Sequence, residues 1–186
     1  MSSLIPISRK NGTDYFYMEK LGPGAILTDF FCPIEEYNEY LTQDALRSQD
    51  DHVALTWLLQ ERASKGIVAY MSIINDAIKL SVSEKELHNL NYPFKTIPAM
   101  KIAKLAVSQS FREKYKGIGS FMIDTAINLA LECNVDYSAC RFLTVDADIE
   151  NNESVLTFYE KNGFILNNEM NNKNRKTISM RKDIFA

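Results

Sequence analysis

The sequence predicts an α+β fold in a single domain, and three observations carry that prediction. Val53 to Leu59 and Gly66 to Ile74 are β-rich runs joined by the polar stretch Gln60 to Lys65, as in an antiparallel hairpin with a loose turn. Gly117 to Cys133 places Ile118, Phe121, Met122, Thr125, Ala126, Leu129 and Cys133 at helical spacing, the pattern of a helix packed on a sheet. The C-terminal half then reads strand, helix, strand, helix. A chain of 186 residues with 46% apolar and 24% charged residues has the size and composition to build such a core without disulfides or metals.

Asn11-Gly12 and Gly22-Pro23-Gly24 bracket the aromatic run Tyr15 to Met18, which reads as short strands and turns. From Ile34 to about Ser48, Ile34, Tyr37, Leu41 and Ala45 recur at helical spacing, and Glu35, Glu36 and Glu39 favour the positive end of that helix. Ser83 to Asn89 reads as a short helix, and Pro93 and Pro98 bracket an extended link into the strand Ala99 to Val107. Cys140 to Ala147 is the continuous β-branched and apolar run of a strand covered on both faces. Glu153 to Lys161 reads as a shorter helix closed by Asn162-Gly163, a pair suited to a C-terminal cap. Asn167 to Lys176 reads as a polar loop and Thr177 to Met180 as a final strand. No repeat, low-complexity tract or interdomain linker interrupts this order.

Several functional classes are disfavoured at this stage. A net charge of −3 gives no global reason to bind nucleic acid or an anionic membrane, so any polyanion is contacted locally. Cys32, Cys133 and Cys140 lack the paired spacing of zinc or redox motifs and read as reduced core thiols. His52 and His88 are the only histidines and are read as surface or structural residues, which leaves no obvious metal site or Ser/His/Asp triad. The longest apolar stretch, Gly66 to Ile74, is far below the roughly 20 residues that span a bilayer, and the expectation is a cytoplasmic protein with no membrane partner.

The chemistry is expected between Lys101 and Phe164. Lys114-Tyr115-Lys116-Gly117-Ile118-Gly119 falls where a strand gives way to the clearest helix. Glycines there let the backbone come close to a ligand, and the unpaired N–H groups of a helix start are donors for phosphate oxygens. Downstream stands Asn152-Glu153-Ser154-Val155-Leu156-Thr157-Phe158-Tyr159-Glu160-Lys161-Asn162-Gly163-Phe164.

The first of these segments resembles the pyrophosphate loop of the GNAT (GCN5-related N-acetyltransferase) superfamily, Arg/Gln-x-x-Gly-x-Gly/Ala, with Lys114 at the Arg/Gln position. The second resembles the GNAT Asn-x-x-Ala-x-x-Leu/Phe-Tyr-x-x-x-Gly-Phe segment, with Val155 in place of the common Ala. Two motifs in the right order are far more specific than either alone. The resemblance covers 99–166 strongly and the whole chain loosely. It implies a single GNAT domain with a mixed, mostly antiparallel twisted sheet flanked by helices, an acceptor-side half of about 1–98 and an acyl-CoA-binding half of about 99–186.

It also implies acetyl-CoA as cosubstrate. Leu105, Ala106 and Val107 would meet the pantetheine arm through their main chain, and Lys114, Tyr115, Lys116, Gly117, Ile118, Gly119 and Ser120 would hold the pyrophosphate. Arg112, Lys114 and Lys116 would add positive charge beside the pyrophosphate, one of them also meeting the CoA 3'-phosphate, or else stand as solvated loop cations. Tyr159 matches the tyrosine beside the CoA sulfur, where its phenol would protonate or hold the leaving thiolate, a role favoured over mere packing between helix and sheet. Asn152 matches a position that contacts the cofactor or caps the helix.

The acceptor amine, with an unperturbed pKa near ~10.4 if it is a lysine, must lose a proton, whereas a thiol near ~8.5 leaves readily. The strand Lys101 to Val107 carries no Glu to act as base, so a water chain, Asp146 or Asp148 is considered. The expected activity is acetyl transfer from acetyl-CoA to a primary amine of a small molecule or protein. The pattern Tyr40-Leu41, Asp44-Ala45-Leu46 and Val68-Ala69-Tyr70 loosely resembles toxin-like GNAT proteins, some of which act on aminoacyl-tRNA. The acidic balance argues against a nucleic-acid partner but leaves tRNA open. A noncatalytic acyl-CoA-binding module is the other alternative, and a homodimer and an antitoxin partner remain open.

Overall fold

The computed structural model describes residues 4–167 and 176–186. The strands are β1 (Ile5–Pro6), β2 (Phe16–Lys20), β3 (Leu55–Glu61), β4 (Ile67–Ile78), β5 (Ile97–Val107), β6 (Tyr115–Lys116), β7 (Phe142–Asp148), β8 (Ile165–Leu166) and β9 (Thr177–Asp183). The helices are α1 (Gly12–Tyr15), α2 (Glu35–Glu39), α3 (Ala45–Asp50), α4 (Val82–Leu87), α5 (Gln109–Arg112), α6 (Ile118–Asp136) and α7 (Val155–Lys161). Most of the expected polar loop 167–176 lies outside the described residues. Two compact units share the chain, one formed by Met1–Ile74 with Ala103–Ala126, the other by Asn75–Ile102 with Ile127–Ala186.

In the first unit β2 pairs antiparallel with β3 from Phe16↔Glu61 to Lys20↔Trp57, and β3 pairs antiparallel with β4, with a register shift at Leu59/Gln60. The expected hairpin is therefore present. Leu21, Phe30, Cys32, Leu41, Ala45, Leu58, Ile67, Tyr70 and Ala106 form the core of this unit. The helix expected over 34–48 is α2 and α3 joined by a π-helical turn, Tyr40–Asp44, in which the Ala45 N–H donates to the Tyr40 carbonyl. Tyr37, Leu41 and Ala45 are four residues apart twice, more than one α-helical turn per step. The wider turn keeps all three on the face that packs the core.

The N-terminal segment contributes a feature with no local sequence signal. β1 lies parallel to β6, and the Ile5 and Ile7 N–H groups donate to the Lys114 and Lys116 carbonyls at 3.0 and 2.6 Å. The stretch before the long helix is thus braced by residues more than a hundred positions away.

In the second unit β5 runs parallel to β7 from Ala99↔Phe142 to Ile102↔Val145, β7 is antiparallel to β9, and β8 is antiparallel to β9. The parallel pairing of β5 with β7 beside antiparallel ones makes this sheet mixed and mostly antiparallel, as expected. Ile78, Leu80, Ile97, Ala99 and Phe142 pack together as a core. The short helix expected near Ser83 is α4, opened by a capping box in which Ser81 accepts from the Glu84 N–H and the Glu84 carboxylate accepts from the Ser81 N–H. Arg181, almost fully buried on β9, donates to Glu84 at 2.7 Å and to the Leu166 carbonyl at 2.9 Å, holding α4 and β8 to β9. α7 packs on β7 and ends as expected, with Gly163 at φ +82 where a left-handed residue closes the helix.

The three cysteines are free thiols, Cys32 and Cys140 buried and Cys133 half-buried. His52 is exposed with φ 59, and His88 contacts Asp183 through Nδ1 at 2.9 Å. Among the described residues no helix is long and apolar enough to cross a membrane, and no group of His, Cys, Asp or Glu is placed to hold a metal.

Candidate active site

The expected phosphate loop belongs to the first unit. Leu105 and Val107 on β5 are half-buried and Ala106 is buried. The chain then departs from the simple strand-to-helix turn read from the sequence. The Ser108 N–H donates to the Val68 carbonyl at 2.9 Å, the single turn of α5 follows, and β6 intervenes before α6 begins. These insertions are too short to leave a periodic signal.

Gly117 stands at the junction with φ +99, a conformation that only glycine adopts freely. A Cβ there would collide with the Ile7 carbonyl oxygen. Gly117 is therefore required by the brace from β1, whatever it does for a ligand. The Phe121 N–H donates to the Gly117 carbonyl at 3.0 Å, closing the first helical turn. The N–H groups of Ile118, Gly119 and Ser120 precede that bond and stand at the electropositive end of a 19-residue helix.

The cations of the loop divide into two kinds. Arg112 and Lys116 are exposed. The Lys114 ammonium instead donates to Glu61 Oε1 at 2.6 Å, and the hydroxyl of the buried Tyr115 donates to the same oxygen at 2.6 Å. Ser64 Oγ donates to Glu61 Oε2 at 2.7 Å. Burial alone would raise the Glu61 carboxyl, but the hydrogen bonds from Lys114, Ser64 and Tyr115 outweigh it and hold it down at about 2. Lys114 and Tyr115 thus spend their side chains on an internal anion, which leaves their backbone for any ligand. Glu61 is the residue the sequence reading missed. Its only local sign is a lone carboxylate closing a β-rich run.

Tyr159 and Asn152 belong to the second unit. Tyr159 is 7% exposed, with its ring edge-on to Phe158 and Phe164 at centroid distances of 5.0 and 5.2 Å. Burial pushes its phenol well above the ordinary tyrosine value, so it stays protonated throughout the physiological range. Asn152 is exposed, and its Oδ1 accepts from the Ser154 N–H at 3.1 Å and from Ser154 Oγ at 2.9 Å. It organises the entry to α7, with Ser154 rather than Asn152 at the N-cap position.

The two carboxylates considered as bases are both engaged. Asp146 accepts from the Lys101 ammonium at 3.0 Å, and Asp148 accepts from the Asn151 N–H and side chain at 3.2 and 2.9 Å.

Solved structures share this fold. AtaT complexed with acetyl-methionyl-tRNAfMet matches with a TM-score of 0.74 and 21% identity, over 90% of this chain and 94% of that one. The chain has the GNAT fold. AtaTR bound with acetyl-CoA matches the same GNAT architecture with a TM-score of 0.69 and 22% identity over 90% and 94% of the two chains. A tyrosine-to-phenylalanine mutant of KacT matches with a TM-score of 0.71 and 17% identity over 90% and 95%. No protein-family model matches the sequence, and no curated protein matches it. At these identities the likeness is one of GNAT fold.

Proposed function

We propose that this chain is a toxin-type N-acetyltransferase that moves the acetyl group of acetyl-CoA to the α-amine of an aminoacyl-tRNA. The observation that carries the reading is the likeness over 90% of the chain to AtaT complexed with acetyl-methionyl-tRNAfMet. It favours a charged tRNA over the small-molecule or protein amine expected from the sequence. The likeness to AtaT bound to the C-terminus of the antitoxin AtaR and acetyl-CoA supports acetyl-CoA as cosubstrate and an antitoxin partner for this chain as well.

In this reading the backbone of Leu105, Ala106 and Val107 aligns the pantetheine arm, and the N–H groups from Gly117 to Ser120 take the pyrophosphate, with Arg112 and Lys116 as exposed counter-charges. Lys114 and Tyr115 serve the same site by fixing the loop through Glu61. The acceptor amine, once deprotonated to water, attacks the thioester carbonyl. The carbon–nitrogen bond forms, the carbon–sulfur bond breaks, and the electron pair of that bond leaves with sulfur. The raised pKa of Tyr159 keeps its hydroxyl a donor, suited to the departing thiolate. A water path for the amine proton is favoured over Asp146 and Asp148 because both carboxylates already hold protein donors.

The test is to mix the protein with acetyl-CoA and either charged tRNAs or a panel of small amines and peptides, following thiol release and the acetylated product. Release that depends on charged tRNA supports the reading. Release with amines or peptides but with no aminoacyl-tRNA refutes it, and binding of acetyl-CoA without release returns the chain to a noncatalytic module.

A further inference from the structure

Lys104 lies on β5, directly before the three residues assigned to the pantetheine arm. Its ammonium stands 4.9 Å from the ring centroid of Tyr37 and 5.8 Å from that of Tyr40, and it is paired with the carboxylate of Glu36. The support behind these rings is rigid. Tyr40 stacks on Tyr70 at 6.2 Å with an interplanar angle of 20°, Tyr70 is fully buried, and the Tyr70 hydroxyl donates to the Tyr37 carbonyl at 2.8 Å. The π-helical turn begins at Tyr40 itself. Every member of this cluster belongs to the first unit.

The two partners of the ion pair are held very differently. The Lys104 side chain is 23% exposed and placed by two aromatic faces on a strand, whereas the Glu36 side chain is 63% exposed on the first turn of α2. Two ring quadrupoles fix the cation. The anion is a solvent-facing carboxylate of a kind whose pairing contributes little and is readily exchanged. An incoming phosphate offers the same ammonium a stronger charge-assisted bond than one exposed carboxylate does.

We propose that Lys104, on its Tyr37 and Tyr40 platform, is a subsite for a phosphate of the acceptor's nucleotide end, and that Glu36 is the internal anion which that phosphate displaces. The inference rests on the aminoacyl-tRNA reading and deepens it. A chain of net charge −3 has few places to bind a polyanion, and a preformed ammonium paired with the exchangeable carboxylate of Glu36 is one of them. The arrangement makes the two partners opposed in effect. Removing Lys104 removes the contact, and removing Glu36 removes its competitor.

The experiment measures kcat/KM for aminoacyl-tRNA acetylation at several salt concentrations, with acetyl-CoA affinity measured by calorimetry on the same proteins. Lys104→Met is expected to raise KM for charged tRNA about five- to tenfold and to lower the salt slope by about 0.7, the share of one phosphate on a single strand. Glu36→Gln is expected to lower KM about two- to threefold, reflecting the loss of a weak competing pair. Lys104→Arg should keep the salt slope, and acetyl-CoA affinity should stay within about twofold in all three variants, a difference well under the tenfold that separates a lost contact. Effects of the same sign for Lys104→Met and Glu36→Gln, an unchanged salt slope, or a parallel loss of acetyl-CoA affinity would overturn the proposal. If the wild-type protein acetylates no charged tRNA at all, the parent reading fails first, and that outcome is separate because it is seen before any variant is compared.

Discussion

Glu61→Gln isolates the charge that holds the Lys114-Tyr115 segment before α6. The carboxyl is depressed from 4.5 to about 2 because three donors converge on a side chain only 6% exposed. At about 1.4 kcal/mol per pH unit, that interval sets a ceiling of about 3.5 kcal/mol at neutral pH. Half of the Lys114 side chain is exposed, and solvent screening brings the expectation to about 2 kcal/mol. Glutamine keeps one acceptor oxygen for Tyr115, and Ser64 Oγ can turn to accept from the amide N–H, but the charge is lost and the half-exposed Lys114 can rehydrate. The sign follows from the depressed pKa. The stabilisation is complete above about pH 5 and is lost as pH falls from 4.5 towards 2. Urea unfolding of wild type and variant at pH 7 and pH 3 should therefore give a gap of about 2 kcal/mol that shrinks to less than half. A gap of equal size at both pH values would mean that shape rather than ionisation matters at this position. No gap at pH 7 would refute the assignment of Glu61 as the anchor.

Gly117→Ala should destabilise the fold by about 2 kcal/mol or more, through both its left-handed backbone and the clash with the Ile7 carbonyl, seen as a lower melting temperature. That position is therefore unsuited to testing cofactor binding. Gly119→Asp, which sets a negative charge among the helix-start N–H groups, should instead weaken acetyl-CoA binding at least about tenfold by calorimetry. Tyr159→Phe removes only a hydroxyl while the contacts with Phe158 and Phe164 persist, so kcat should fall about tenfold or more with acetyl-CoA affinity within about twofold, as steady-state kinetics and calorimetry would show. Arg181→Met breaks a buried pair with Glu84 and should cost about 3 kcal/mol of stability in urea.

What the sequence revealed and concealed follows from the range of the interactions. α6, β7 and α7 were legible because each is long enough to show a period or a continuous apolar run, and Asn162-Gly163 carries its own cap chemistry. β1, α5 and β6 were not, since elements of two to four residues have no period and β1 meets β6 across more than a hundred residues. The same limit applies to side chains. Lys114 and Glu61 are 53 positions apart, and Lys104 and Glu36 are 68 apart, so neither pair leaves a local spacing to read.

Gly117 has a structural use that its sequence context does not show. A glycine before a helix reads as room for a pyrophosphate, yet the surface its missing Cβ leaves open is filled by the Ile7 carbonyl. The two uses are compatible. A main chain braced on one side by β1 and anchored on another through Lys114, Tyr115 and Glu61 has little freedom left, and this fixes the direction of its helix-start N–H groups. Such preorganisation is what lets backbone donors hold a phosphate without a dedicated lysine. It also explains why a sequence with Lys114 at the motif's Arg/Gln position can use that cation internally. The charge supports the geometry of the loop, and the geometry presents the N–H groups.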